Sequence, residues 1–124
     1  MTLHPALRLL HLPVLIAGML LLVLPVQAES LPSFNLLIRD GRFVPTTLEV
    51  PANTKFRLLI KNEGPGAEEF ESIELRKEKV LAPGASSFLI FQALKPGTYK
   101  FFWRLSSRHG ARPVGGQMKA PCHG

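Results

Sequence analysis

The 124-residue chain has one cysteine, Cys122, one tryptophan, Trp103, and one tyrosine, Tyr99. A lone cysteine excludes an intramolecular disulfide, so cysteine usage does not report the redox compartment. No stretch keeps a 3.6-residue apolar period, which argues against a helical bundle. No Gly-rich phosphate loop, nucleophile–base pair or set of paired catalytic acids is present, and Ser86-Ser87 and Ser106-Ser107 lack His or Asp support. The chain is therefore read as a non-enzyme. The longest apolar run, Leu12–Leu24, has 13 residues, short of the roughly 20 a spanning helix needs. Acidic residues are missing altogether from 103–124, where four Lys/Arg stand alone, whereas residues 29–102 hold ten Lys/Arg and nine Asp/Glu. The net charge of +6 thus comes mainly from the C-terminal segment. It does not form the basic stripe on a folded domain that a nucleic-acid binder would show.

What the sequence does contain begins with an export segment. A short start carrying Arg8, the apolar run bracketed by Pro13 and Pro25, and Val26-Gln27-Ala28 before a cleavage point read as a signal peptide over 1–28. The mature chain would begin at Glu29 and occupy a periplasm, touching a membrane only through the uncleaved leader. It is long enough for one small domain. Its eight Phe, which have no polar handle, are core-filling residues.

From Pro32 onward, short β-rich runs alternate with Gly and Pro. Strands are expected at Phe34–Asp40, Thr46–Val50, Lys55–Lys61, Glu69–Ser72, Ser87–Gln92 and Thr98–Phe102. In Lys55–Lys61 the alternation of Phe56, Leu58 and Ile60 with charged neighbours marks a half-buried strand. Asn62–Gly66, Pro83-Gly84 and Lys95-Pro96-Gly97 mark turns. Leu75–Val80 has the length for one helical turn, and the mixed charges of Arg76-Lys77-Glu78-Lys79 read as a solvated edge. Strands with turns about every ten residues predict an all-β, two-sheet sandwich.

Three blocks carry a family resemblance: Arg42–Asn53 with the Lys61-Asn62-Glu63 that follows its next strand, Ala67-Glu-Glu-Phe-Glu-Ser72, and Leu94-Lys-Pro-Gly-Thr-Tyr-Lys-Phe-Phe102. Together they resemble the cupredoxin-like domain of periplasmic iron-uptake proteins, over residues 34–102. The resemblance implies a Greek-key β-sandwich that follows a signal helix and a linker at 29–33. It also implies a metal-binding accessory role, with copper or iron handled beside an iron permease or its periplasmic components. By the same resemblance Glu68 falls near the first His of a type 1 copper site, Trp103 holds the Cys position and Ser106 lies near the second His. With no thiolate there, blue-copper electron transfer is rejected. Glu68, Glu69 and Glu71 are the candidate metal ligands, as carboxylates suited to a hard cation. On a strand, Glu69 and Glu71 would share one face with Phe70 turned to the core. The alternative is a metal-free β-sandwich interaction module. His109, Cys122 and His123 lack structural-zinc spacing, and no Met of the sandwich region serves as an axial ligand.

The family continues after T-Y-x-F-F with G-D-F-H-P-D and a closing strand; here Trp103-Arg-Leu-Ser-Ser-Arg-His-Gly-Ala111 follows. Reading one nucleotide later from Trp103 forces Gly, permits D-F-H-P-D-T-A and then, at Val114–Gln117, L-V-A-K. Met118-Lys119 forces a stop. The expectation is a frameshifted, non-native and disordered tail over 103–124, and a sandwich that lacks its last strand and aggregates through the exposed gap.

Overall fold

The computed structural model describes residues 2, 22–27, 29–105 and 113–122. Of the signal segment expected at 1–28 only residues 2 and 22–27 are described, without regular secondary structure, and Ser106, His109 and His123 lie outside the described residues. Among the described residues there is no helix long and apolar enough to cross a membrane.

The described chain is all-β, as expected. Its strands are β1 (Ser33–Arg39), β2 (Arg42–Val44), β3 (Thr47–Glu49), β4 (Phe56–Asn62), β5 (Glu68–Ser72), β6 (Lys77–Leu81), β7 (Ser86–Phe91), β8 (Gly97–Leu105) and β9 (Val114–Ala120). One sheet has the order β2-β1-β4-β7, the other β3-β9-β8-β5-β6. The pairs β1–β4 and β3–β9 are parallel, so the chain crosses between sheets instead of meandering.

Local chemistry explains the elements that sequence reading passed over. Asp40 and Gly41, at φ 49° and 71°, end β1 and turn the chain straight back into β2, the left-handed geometry that Asp tolerates and Gly adopts without strain. Leu75–Val80 makes no helical turn. Arg76 sits at φ 51° and the chain leaves it as β6, the charged edge of its sheet.

The end of the chain departs most from what its sequence suggests. The sandwich does not lack its last strand and does not stop at 102. β8 runs on through Trp103 to Leu105, and β9 pairs along it from Gly97↔Ala120 to Trp103↔Val114 while also pairing with β3. The signal was weak because V-G-G-Q-M-K-A carries few apolar residues. It suffices because of what each inward position meets. Met118 and Ala120 are buried. Gly116 lies beneath the Phe101 ring, where any Cβ would overlap that ring, so the strand borrows a neighbour's aromatic to cover its bare backbone. The core is closed and the predicted gap is absent.

Between the sheets the Phe residues do the filling. Phe43, Phe56, Phe70, Phe91 and Phe101 are fully buried. Phe43 meets Phe101 edge-on at 4.7 Å, and Phe56 stacks on Phe91 at 5.0 Å, the arrangements favoured by the ring quadrupole.

Candidate functional site

The only large polar side chains buried among the described residues, Asn62 and Glu68, stand at one end of the sandwich. Asn62 ends β4. Its amide Nδ2 donates to the carbonyls of Gly66 at 2.8 Å, Leu81 at 3.1 Å and Ala82 at 3.2 Å, and its Oδ1 accepts from Gly64 N at 2.9 Å. One side chain thus pins the 63–67 loop to the end of β6. Asn62→Ala strands these buried groups and is expected to cost about 2 kcal/mol, read from the midpoint of a urea titration at unchanged slope.

The loop so held leads into β5, whose residues alternate. Glu68, Phe70 and Ser72 face inward; Glu69 and Glu71 face outward. The expectation that Glu69 and Glu71 share a face opposite Phe70 is met. The expected three-carboxylate set is not: Glu68 is 2% exposed and on the core side, so the strand's own pleat separates it from the other two. The outer pair meets different company. Glu71 stands opposite Glu78 in register, Arg104 Nε reaches Glu71 at 3.3 Å, and Glu69 is held above the usual carboxylate range by burial, by a hydrogen bond with Glu78 and by the charges of Glu78 and Glu71. Glu63 pairs with Arg39 at 2.5 Å, and that hydrogen bond draws its carboxyl down.

Glu68 has Trp103 for a neighbour. Phe70 pairs with Trp103 and Glu68 with Leu105 across β5–β8, which puts the carboxyl and the indole on the same inward face. Trp103 is 4% exposed. Glu68 Oε2 and Trp103 Nε1 are both buried, and neither closes a hydrogen bond. Loss of water pushes the Glu68 carboxyl up to about 7, and the facing indole N–H offsets this only in part.

This donor set does not fit a type 1 copper centre, which takes two imidazoles and a thiolate. The indole N–H of Trp103 donates and has no lone pair to give a metal. Cys122 is exposed and follows Ala120, which pairs with Gly97 at the far end of β8. The six residues from Gly97 to Trp103 span about 20 Å, and the two from Ala120 to Cys122 reach only about 7 Å. Among the described residues no three His, Cys, Asp or Glu side chains are placed to share a metal ion.

Comparison with known proteins agrees with this architecture. A family model described as a cupredoxin-like domain matches residues 12–111. An uncharacterized protein of Rickettsia prowazekii (strain Madrid E) is 42% identical over 74 residues, covering 60% of this chain; the chain spans 59% of that relative's length. Among solved structures, auracyanin B superposes with a TM-score of 0.58 at 18% identity, over 75% of this chain and 91% of its own. The periplasmic domain of subunit II of cytochrome oxidase of Bradyrhizobium japonicum reaches 0.58 at 11% identity, over 74% and 86%. At such identities these structures establish a shared fold.

Proposed function

We propose, because this chain belongs to the cupredoxin-like domain family, that it is an exported metal-handling accessory and not a blue-copper electron carrier. The observation that carries this reading is the pair Glu68 and Trp103. Glu68 falls near the position that the resemblance assigns to a first copper His and Trp103 holds that of the Cys, and the pair offers a buried carboxylate with a free oxygen where a redox centre would need sulfur and imidazole. Copper or iron is then cargo, not a resident cofactor. The resemblance to iron-uptake proteins supports a place in the periplasm beside a ferrous-iron permease or its periplasmic components, delivered there by the 1–28 leader. The cytochrome oxidase domain of the same fold is itself described as periplasmic. No catalytic step belongs to this role.

Equilibrium dialysis of untagged full-length protein against Cu(II) and against Fe(II) tests it. Retention of one of these ions, weakened at least about tenfold in Glu68→Gln, a loss of about 1.4 kcal/mol, is the expected result. Bound Cu(II) should show no thiolate charge-transfer colour. Equal retention by wild type and variant overturns Glu68 as the anchor.

A second reading, the metal-free interaction module, is favoured by the division of Glu68 from Glu69 and Glu71 across β5. A wild-type protein that retains neither ion supports it. The shifted-frame reading of the tail is a proposal about the gene. β9 forms from the frame as written, so the shift is not needed to supply a closing strand. It would account for the missing G-D-F-H-P-D. Resequencing across the codons for Phe102 and Trp103 tests it; a sequence with no such alternative frame removes it.

A further inference from the structure

Each sheet of an open sandwich ends in two strands whose outer backbone groups lack a partner, and natural sequences blunt such edges with brevity, charge or proline. Three of the four edges here follow that rule. β2 has three residues, begins with Arg42 and runs into Pro45. β3 also has three and is followed closely by Pro51. β6 carries Lys77, Glu78 and Lys79. The fourth, β7, is Ser86-Ser-Phe-Leu-Ile-Phe91: six residues with no charge, proline or glycine. That composition is typical of segments that pair strand to strand.

The backbone phase of β7 follows from its inner neighbour. Asn62 N donates to Ala85 O at 2.9 Å, immediately beyond the register pair Lys61↔Ser86. Hydrogen-bonded positions alternate in an antiparallel ladder, so Ser87, Leu89 and Phe91 bond to β4. Ser86, Phe88 and Ile90 turn their N–H and C=O groups to the open side, where no described strand lies. Phe88 is 53% exposed on the outer sheet face, beside Leu59 at 37%, with the Arg57 guanidinium 5.2 Å from its ring centre. An unguarded edge and an exposed aromatic therefore coincide at one strand.

We propose that β7 is a dimerisation edge, on which β7 of a second copy adds antiparallel about a two-fold axis to join the two four-stranded sheets into one of eight. The occupant is a second copy because the strand complements itself. With no charge on β7, like meets like without repulsion. A two-fold pairing of identical edges closes at two chains and leaves no growing end. The cations of that face, Arg57 and Lys61, lie on β4, one strand in from the edge. The two β4 strands would be three strand spacings apart, about 14 Å, and the Arg57 guanidinium, which reaches toward the axis, lies over the ring of its own Phe88, whose negative face offsets part of its charge. Across the axis, Phe88 and Leu59 of both copies become one apolar strip.

Sedimentation velocity on the full chain, from low to high micromolar concentration, tests the proposal with two variants. Phe88→Pro removes an N–H that β4 does not use and adds a ring to the open side. Phe88→Lys keeps every backbone donor and sets a charge on the axis. The expected result is a wild-type species of twice the monomer mass, and monomers for whichever variants keep the wild-type circular dichroism. A wild type that stays monomeric at high micromolar concentration overturns the proposal and leaves the edge to a strand from another protein. Folded variants that remain dimeric overturn it as well.

Discussion

A chain ending at Pro113 is expected to show no cooperative unfolding transition. Truncation there deletes β9, and the damage reaches both neighbours. β8 loses its antiparallel partner from Gly97 to Trp103, and β3 loses its only described strand partner. The links that tie the strand's flanks in place, Gln117 N to Thr46 O and Val50 N to Lys119 O, both at 2.9 Å, go with them. Met118 and Ala120 leave the core, and the Phe101 ring loses the Gly116 backbone it lies over. Removal of a buried Met side chain alone costs about 2–5 kcal/mol, against a total of about 5–15 kcal/mol for a whole domain. The loss of a core strand in addition should exceed what remains. Thermal melts followed by circular dichroism check this, with Met118→Ala as a milder control that melts cooperatively at lower temperature. A truncated chain with a melt like that of the full chain would mean that β9 does not close the sheet.

The second large effect is a stability that falls as pH rises through the mildly acidic range. Glu68 has an ordinary carboxyl pKa of 4.5 when exposed and about 7 when folded. Below 4.5 it is protonated in both states and costs nothing. Between 4.5 and 7 the unfolded chain releases the proton while the folded chain keeps it, so folding must take up a proton that becomes scarcer. Above 7 both states are ionised and the cost is constant. The difference amounts to about 3 kcal/mol, at about 1.4 kcal/mol per pH unit. Glu69, raised by burial and by Glu78 and Glu71, acts in the same direction, whereas Glu63, lowered by Arg39, acts only in more acidic solution and with the opposite sign. Urea midpoints across this range should therefore decline toward neutral pH in wild type, and Glu68→Gln should remove more than half of the decline. An unchanged slope in the variant would assign the effect to other groups.

The alternation of Phe56, Leu58 and Ile60, the run of turn signals and the eight Phe made a two-sheet sandwich legible from residues alone, because period-two burial is written into β4 and β5. Three elements were not legible. β2 is three residues beyond a turn that looks, locally, like a strand end. β6 is charged because it is an edge, and charge hides a strand from apolar pattern reading. β9 is stable through what other strands bring to it, above all the Phe101 ring over Gly116, and no property of V-G-G-Q-M-K-A by itself reports that. The candidate site was half legible. The Glu68 position was marked by its block, and the shared face of Glu69 and Glu71 followed from strand geometry. That Glu68 turns inward to meet Trp103 depends on the β5–β8 register, which brings together residues 35 positions apart.

Trp103 is the single tryptophan of the chain, so its fluorescence reports on this end of the sandwich alone. The expected result is blue-shifted emission from a buried indole, with an intensity that titrates with a midpoint near 7 as the facing carboxyl ionises. In Glu68→Gln the titration should disappear while the emission stays blue-shifted. Emission typical of solvent-exposed tryptophan, or a midpoint near the ordinary 4.5, would contradict a buried, unpaired Glu68 in the place of a metal ligand.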